Sequence, residues 1–192
     1  MSLYALMIFV HVLCVLGMFA ALALEGLSLR RAARATTAEQ AAQWTAVWRL
    51  LMPMGMPSLL GALASGIYLA TAMNGWSFGW TKLAVPALVL VALAGAVVGP
   101  RRNRVVSALT APGAQLSAEL HAELAAPRFE ASWRFRAAVL VGVVFAMTVK
   151  PLESNAVIVV AVVLACAAGW AGLAFAKKPS TNNRTPPSPS SG

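Results

Sequence analysis

The sequence predicts an all-α fold: a polytopic membrane helical bundle with five transmembrane helices, N-terminus outside and C-terminus cytoplasmic. Three observations predict it. The 192 residues are 59% hydrophobic and only 11% charged, whereas a soluble domain carries about 25% charged residues. The apolar residues gather in five stretches, about 3–24, 50–73, 81–99, 135–150 and 155–176, and a helix needs roughly 20 such residues to cross the hydrocarbon core. The basic residues, finally, sit almost wholly in alternate connecting segments.

The interiors 3–24, 50–73, 83–99, 137–149 and 155–176 hold no Lys, Arg, Glu or Asp. Backbone polar groups must be satisfied within lipid, so these stretches are helices and not an open sheet. The chain carries 15 Lys and Arg against 6 acids, for a net charge of +9; every acid is Glu. A nucleic-acid partner is excluded, because the basic residues lie between membrane-length spans and form no basic face. A soluble enzyme, a secreted disulfide scaffold and a disordered chain are excluded by the same composition.

The first span opens on Tyr4 and closes before Glu25. Ala21 and Ala23 make an A-x-A pattern, but there is no basic leader, and the apolar run exceeds the usual 7–15 residues of a signal peptide. An uncleaved helix is expected. The segment 26–49 follows, with Arg30, Arg31, Arg34 and Arg49, and its Ala- and Gln-rich part from Thr36 to Val47 reads as a helical extension. The second and third spans are joined by a short loop. The segment 100–136 then carries Arg101, Arg102, Arg104, Arg128, Arg134 and Arg136. A short cytoplasmic helix is expected there from Gly113 to Ala126, with Leu116, Leu120 and Leu124 as its apolar stripe and Pro127 ending it.

The fourth span is short, from Trp133 to Lys150, and suits a thinned bilayer or an upright helix. After the fifth span come Lys177, Lys178 and Arg184, and a tail, residues 179–192, of Pro, Ser, Thr and Asn that reads as disordered. Residues 1–178 form a single domain. Three segments thus hold 13 of the 15 basic residues, and basic residues remain cytoplasmic, which sets the orientation. Lys82 and Lys150 fall at the opposite side. Tyr4, Tyr68, Trp76 and Trp80 are expected as anchors at the outer boundary, and Trp44, Trp48 and Trp133 at the inner one; Trp170 falls deeper.

Apart from the cysteines and Tyr68, His11 is the one ionisable side chain well inside a span, and such a group marks a candidate functional site. Met7, His11, Cys14 and Met18 share one helical face, which Glu25 continues. Imidazole, thiolate and thioether suit Cu(I), and imidazole suits haem iron. A first helix facing the bundle would carry the same stripe, with a neutral His bonded to a backbone carbonyl and Met filling gaps. Met52, Met54 and Met56, interleaved with Pro53 and Pro57, make a second thioether run at the other end of the membrane, read more plainly as a Pro-kinked, Met-packed helix.

Cys14 and Cys166 should lie at similar depth and are expected as lone buried thiols. Glu119, His121 and Glu123 read as a solvated face, because His121 points away from the two Glu. Lys150 and Glu153 could pair across Pro151. Gly95 and Gly99, and Gly61, Ser65 and Gly66, are helix-packing faces. No span holds a carboxylate relay, and no hydrolase, zinc-protease or phosphate-loop motif is present, so nothing marks the chain as an enzyme.

Tyr4, His11-Val12-Leu13 and the small-residue run after them resemble the opening helix of a loose bacterial superfamily. It includes the copper-resistance protein D domain, HemJ-type protoporphyrinogen oxidases and small integral membrane families of unknown function. Trp80-Thr81-Lys82-Leu83 is similar to the turn into the third helix of HemJ-type proteins, and Pro53, Pro57 and Ser65-Gly66-Ile67-Tyr68-Leu69 resemble the second helix of the uncharacterised members. The resemblance spans about residues 1–105. It implies His11 and Lys82 as cofactor-binding positions and the bacterial inner membrane as the location. HemJ-type proteins tend to carry a further His in the third span; here that region reads Ala92-Leu93-Ala94-Gly95, which favours the uncharacterised branch.

The first expectation is a non-catalytic accessory or assembly protein, on the lack of buried charge and the packing glycines, with other membrane subunits or a second copy as partners besides the bilayer. The second is a haem- or copper-handling protein using His11 with Met7, Cys14 or Met18. The third is a carrier of a small solute or lipid in an apolar cleft.

Overall fold

The computed structural model describes residues 2–150 and 153–176, without the side chains of Met52, Trp80, Glu153, Ser154 and Ala156. The tail from 179 to 192, its basic residues and the Lys150–Glu153 pairing lie outside what is described. The described chain is helical: α1 (Leu3–Ala32), α2 (Ala38–Ala72), a 3-10 turn (Gly75–Ser77), α3 (Gly79–Thr110), α4 (Ala118–Leu124), α5 (Pro127–Val149) and α6 (Glu153–Ala176). Five helices are long and apolar enough to cross a membrane. Their outer faces carry Phe9, Leu13, Leu16, Leu60, Leu93, Val97, Phe145, Val157 and Phe175, all exposed. An apolar surface this extensive is stable only in an apolar solvent.

The helices outrun the expected spans at one end, called here the basic end. α1 is 30 residues long, about 45 Å at 1.5 Å per residue, and α2 and α3 are longer still. Apolar residues mark the part of a helix that suits lipid, while good helix formers such as Ala, Leu and Arg carry it on into water. Ser2 and Thr37 cap α1 and α2 by accepting from the N–H of Ala5 and Gln40. The extension expected from Thr36 to Val47 is the start of α2, which continues through Pro53 and Pro57. Met54 and Met56 face outward, so these thioethers do not converge inside the bundle.

Two expectations at this end are corrected. The helix expected from Gly113 to Ala126 is only Ala118–Leu124: Gly113 takes a left-handed φ of +73°, and the Ser117 hydroxyl caps the chain four residues later by accepting from Leu120 N–H. Pro127 does not end that helix but opens the next one, where its missing N–H costs nothing. The helix of the fourth span is longer than the expected stretch, because α5 begins at Pro127 and holds 23 residues.

α1 packs along α2, α5 along α6, and α3 bridges to α5. Glycine sets the closest approaches: a Cβ on Gly61 would meet Cys14 Sγ at 2.5 Å, and one on Gly17 would meet Ser58 Oγ at 2.6 Å. Two cores result. One lies mid-bundle around Met18, Leu22, Leu59, Leu88 and Leu140. The other lies at the basic end around Leu29, Trp48, Val105, Leu124 and Phe129. Trp48, expected as an interfacial anchor, is 2% exposed; its Nε1 donates to Ser28 Oγ at 2.8 Å. Trp133 likewise turns inward, donating to Leu22 O at 2.8 Å.

Candidate functional site

Between the two cores lies a buried charge cluster. Glu25 of α1 is 5% exposed. Arg136 of α5 grips it through both guanidinium nitrogens, Nη1 donating to Oε2 at 2.9 Å and Nη2 to Oε1. Arg102 of α3 donates to Oε1 as well, and its guanidinium lies 4.8 Å from the centre of the Trp48 ring. Gly95 and Gly99, expected as a helix-packing GxxxG, make no close approach: a Cβ on Gly95 would be in ordinary contact with Arg136 Cδ at 3.8 Å, and nothing lies within 4 Å of a Cβ on Gly99. The absence of buried charge, which favoured a pure accessory role, is thus overturned. The acid stands one residue beyond the first uncharged interior, and its partners had been counted among loop charges.

At the opposite, short-loop end an open cavity of about 470 Å³ lies among α1, α2 and α3, lined also by the 3-10 turn and the end of α5. Its wall is mostly apolar, and most of its polar groups are already engaged. Tyr4 O–H donates to Met73 Sδ at 2.9 Å. Thr81 Oγ1 reaches Gly75 O and Phe78 O. Trp76 Nε1 donates to Thr71 Oγ1 at 3.0 Å. A smaller cavity of about 160 Å³ among α3, α5 and α6 has a wholly apolar wall.

His11 lines the larger cavity. Its Nδ1 lies 3.0 Å from Ala62 O and 3.1 Å from Ser65 Oγ. Ser65 spends its own proton on the backbone carbonyls of Gly61 and Ala62, in the manner of a helical serine bonding back one turn. Both neighbours of Nδ1 are therefore acceptors, and Nδ1 is the nitrogen that carries the proton. Nε2 has no protein partner among the described residues. Gly66 completes the seat, since a Cβ there would lie 3.2 Å from His11 Cε1.

The other residues singled out from the sequence are placed differently. Met7 is half-buried and does not line the cavity. Cys14 packs on Gly61, Met18 belongs to the central core, and Cys166 is a free, exposed thiol. Lys82 is exposed and off the cavity wall, whereas Lys150 is on it. Glu123, expected on a solvated face, pairs with Arg128. Among the described residues no three His, Cys, Asp or Glu gather as a metal site. The soft ligands on α1 are spread along a helix seam, which does not fit copper, because Cu(I) needs them to converge on one point. A haem would find one imidazole nitrogen, His11 Nε2.

No family model, curated protein or solved structure matches this chain.

Proposed function

We propose that the chain is a multispanning protein of the bacterial inner membrane that binds a small, mostly apolar molecule in the short-loop cavity, as a carrier or as an accessory subunit presenting it to partners. One observation carries this reading: a 470 Å³ cavity whose wall holds an oriented imidazole with an open nitrogen. Ligand sites have this size and this ratio of apolar wall to polar contact, and an ionisable group within a span is retained for function. Acid–base or nucleophilic chemistry would need a second group beside His11. Among the described residues no carboxylate or thiol lines the wall, and Thr81 and Tyr4 are committed to partners of their own, so binding and not catalysis is proposed.

The test is an absorption spectrum with metal analysis of protein purified in mild detergent after growth with added haem and copper, followed by titration with an apolar fluorescent probe. The expected result is no Soret band, no stoichiometric copper and one saturable site per chain. A Soret band lost on His11→Leu would replace this reading with the haem reading.

The basic residues favour a cytoplasmic position for the end holding Arg30, Arg31, Arg34, Arg101 and Arg104, an orientation that would leave the cavity and the N-terminus outside. A reporter active only outside the cytoplasm is expected to work when fused to the N-terminus. Activity of a cytoplasm-only reporter at that end would reverse the orientation.

A further inference from the structure

We infer that the molecule held in the short-loop cavity is a lipid-soluble phenol or alcohol that donates its O–H to His11 Nε2; this deepens the cavity reading and rests on it. The proton on the other ring nitrogen decides which ligands Nε2 can take. Ala62 O can only accept, and Ser65 has committed its hydroxyl proton to the carbonyls one turn back. Each of them takes its hydrogen bond from Nδ1. A neutral imidazole carries one N–H, so Nε2 presents a lone pair. Ala62, Ser65 and Gly66 act as positioning residues, since they fix the ring and its tautomer.

That lone pair selects among ligands. A ketone, an ether or a carboxylate would set acceptor against acceptor, and a hydrocarbon would leave a desolvated nitrogen unpaired. An O–H satisfies it. The other polar groups on the wall, Tyr4, Thr81 and Trp76, have partners of their own, and Lys150, also on the wall at the end of α5, can only donate, so among the described side chains His11 is the acceptor that discriminates within the cavity. Tyr4, Trp76 and Phe78 on the same wall favour an aromatic ring over a flexible chain.

The experiment uses the whole protein in lipid nanodiscs and three matched probes: para-hexylphenol, its methyl ether, and hexylbenzene. The phenol is expected to bind about tenfold more tightly than either analogue, the effect of one well-made hydrogen bond to a desolvated acceptor. In His11→Leu the three affinities should converge. Nitrogen NMR on histidine-labelled protein, which has only two His, gives a readout that needs no variant. His11 should appear as the Nδ1–H tautomer, and its Nε2 resonance should move upfield with the phenol but not with the ether. Equal affinities in the unmodified protein, or an Nε2–H tautomer, would overturn this inference and leave the cavity reading standing. Binding of none of the three would overturn both.

Discussion

Replacing Glu25 with leucine is expected to cost about 3–5 kcal/mol, the typical loss when one partner of a buried ion pair is removed. The carboxylate sits against Arg102 and Arg136, whose side chains are 15% and 12% exposed. Without it, two guanidiniums face each other with no counter-charge, and Arg102 Nε already lacks a partner among the described residues. The variant should melt far below the unmodified protein in the same detergent, with reduced yield. Replacing all three together (Glu25→Leu, Arg102→Met, Arg136→Met) should recover most of the loss, because apolar groups of similar volume need no counter-charge. A Glu25→Leu protein with unchanged melting temperature would show that the cluster does not hold α1, α3 and α5 together.

The second large effect is expected at Gly142, where α5 meets α6. A Cβ there would lie 2.2 Å from Val163 Cγ1 and 2.8 Å from Cγ2, and valine, being β-branched, has little freedom to swing aside. Gly142→Ala should therefore lower stability by about 1–3 kcal/mol through overpacking. Val163→Ala should restore most of it in the double variant. Thermal melts of the three proteins check this; additive losses in the double variant would mean that the two residues are not in contact. The effect should be large because α6 has few other attachments, chiefly a lighter contact with α3.

The number of helices was legible in the sequence because lipid imposes a crude requirement, about 20 apolar residues, that composition alone reveals. Their ends were not. Leu29 and Ala32 prolong α1 beyond Glu25, and Val105, Val106 and Leu109 prolong α3, as an ordinary buried core that hydropathy does not separate from a loop. The stripe containing His11 was legible from spacing, and so was its inward aspect. Its partners, Ala62 and Ser65, lie 51 and 54 residues away, and only the fold brings them to Nδ1. The Glu25 cluster was hidden for the same reason: its arginines lie 77 and 111 residues away. Each was counted as a cytoplasmic charge, and burial distinguishes a paired arginine from a solvated one. GxxxG at Gly95 and Gly99 did not mark a close approach: a Cβ on Gly95 would be in ordinary contact with Arg136, and nothing lies within 4 Å of one on Gly99.

The central claim is that the short-loop cavity holds a molecule. It is tested most directly by native mass spectrometry of protein released from the membrane in nanodiscs, comparing the unmodified chain with Val85→Trp. Val85 is half-buried on the cavity wall, and an indole there fills space without touching the Glu25 cluster. The predicted result is a discrete mass increment of a few hundred daltons, the scale of a ligand that fits such a pocket, on the unmodified protein and its loss from the variant. An identical spectrum for two equally well folded proteins, with or without bound mass, would contradict the account.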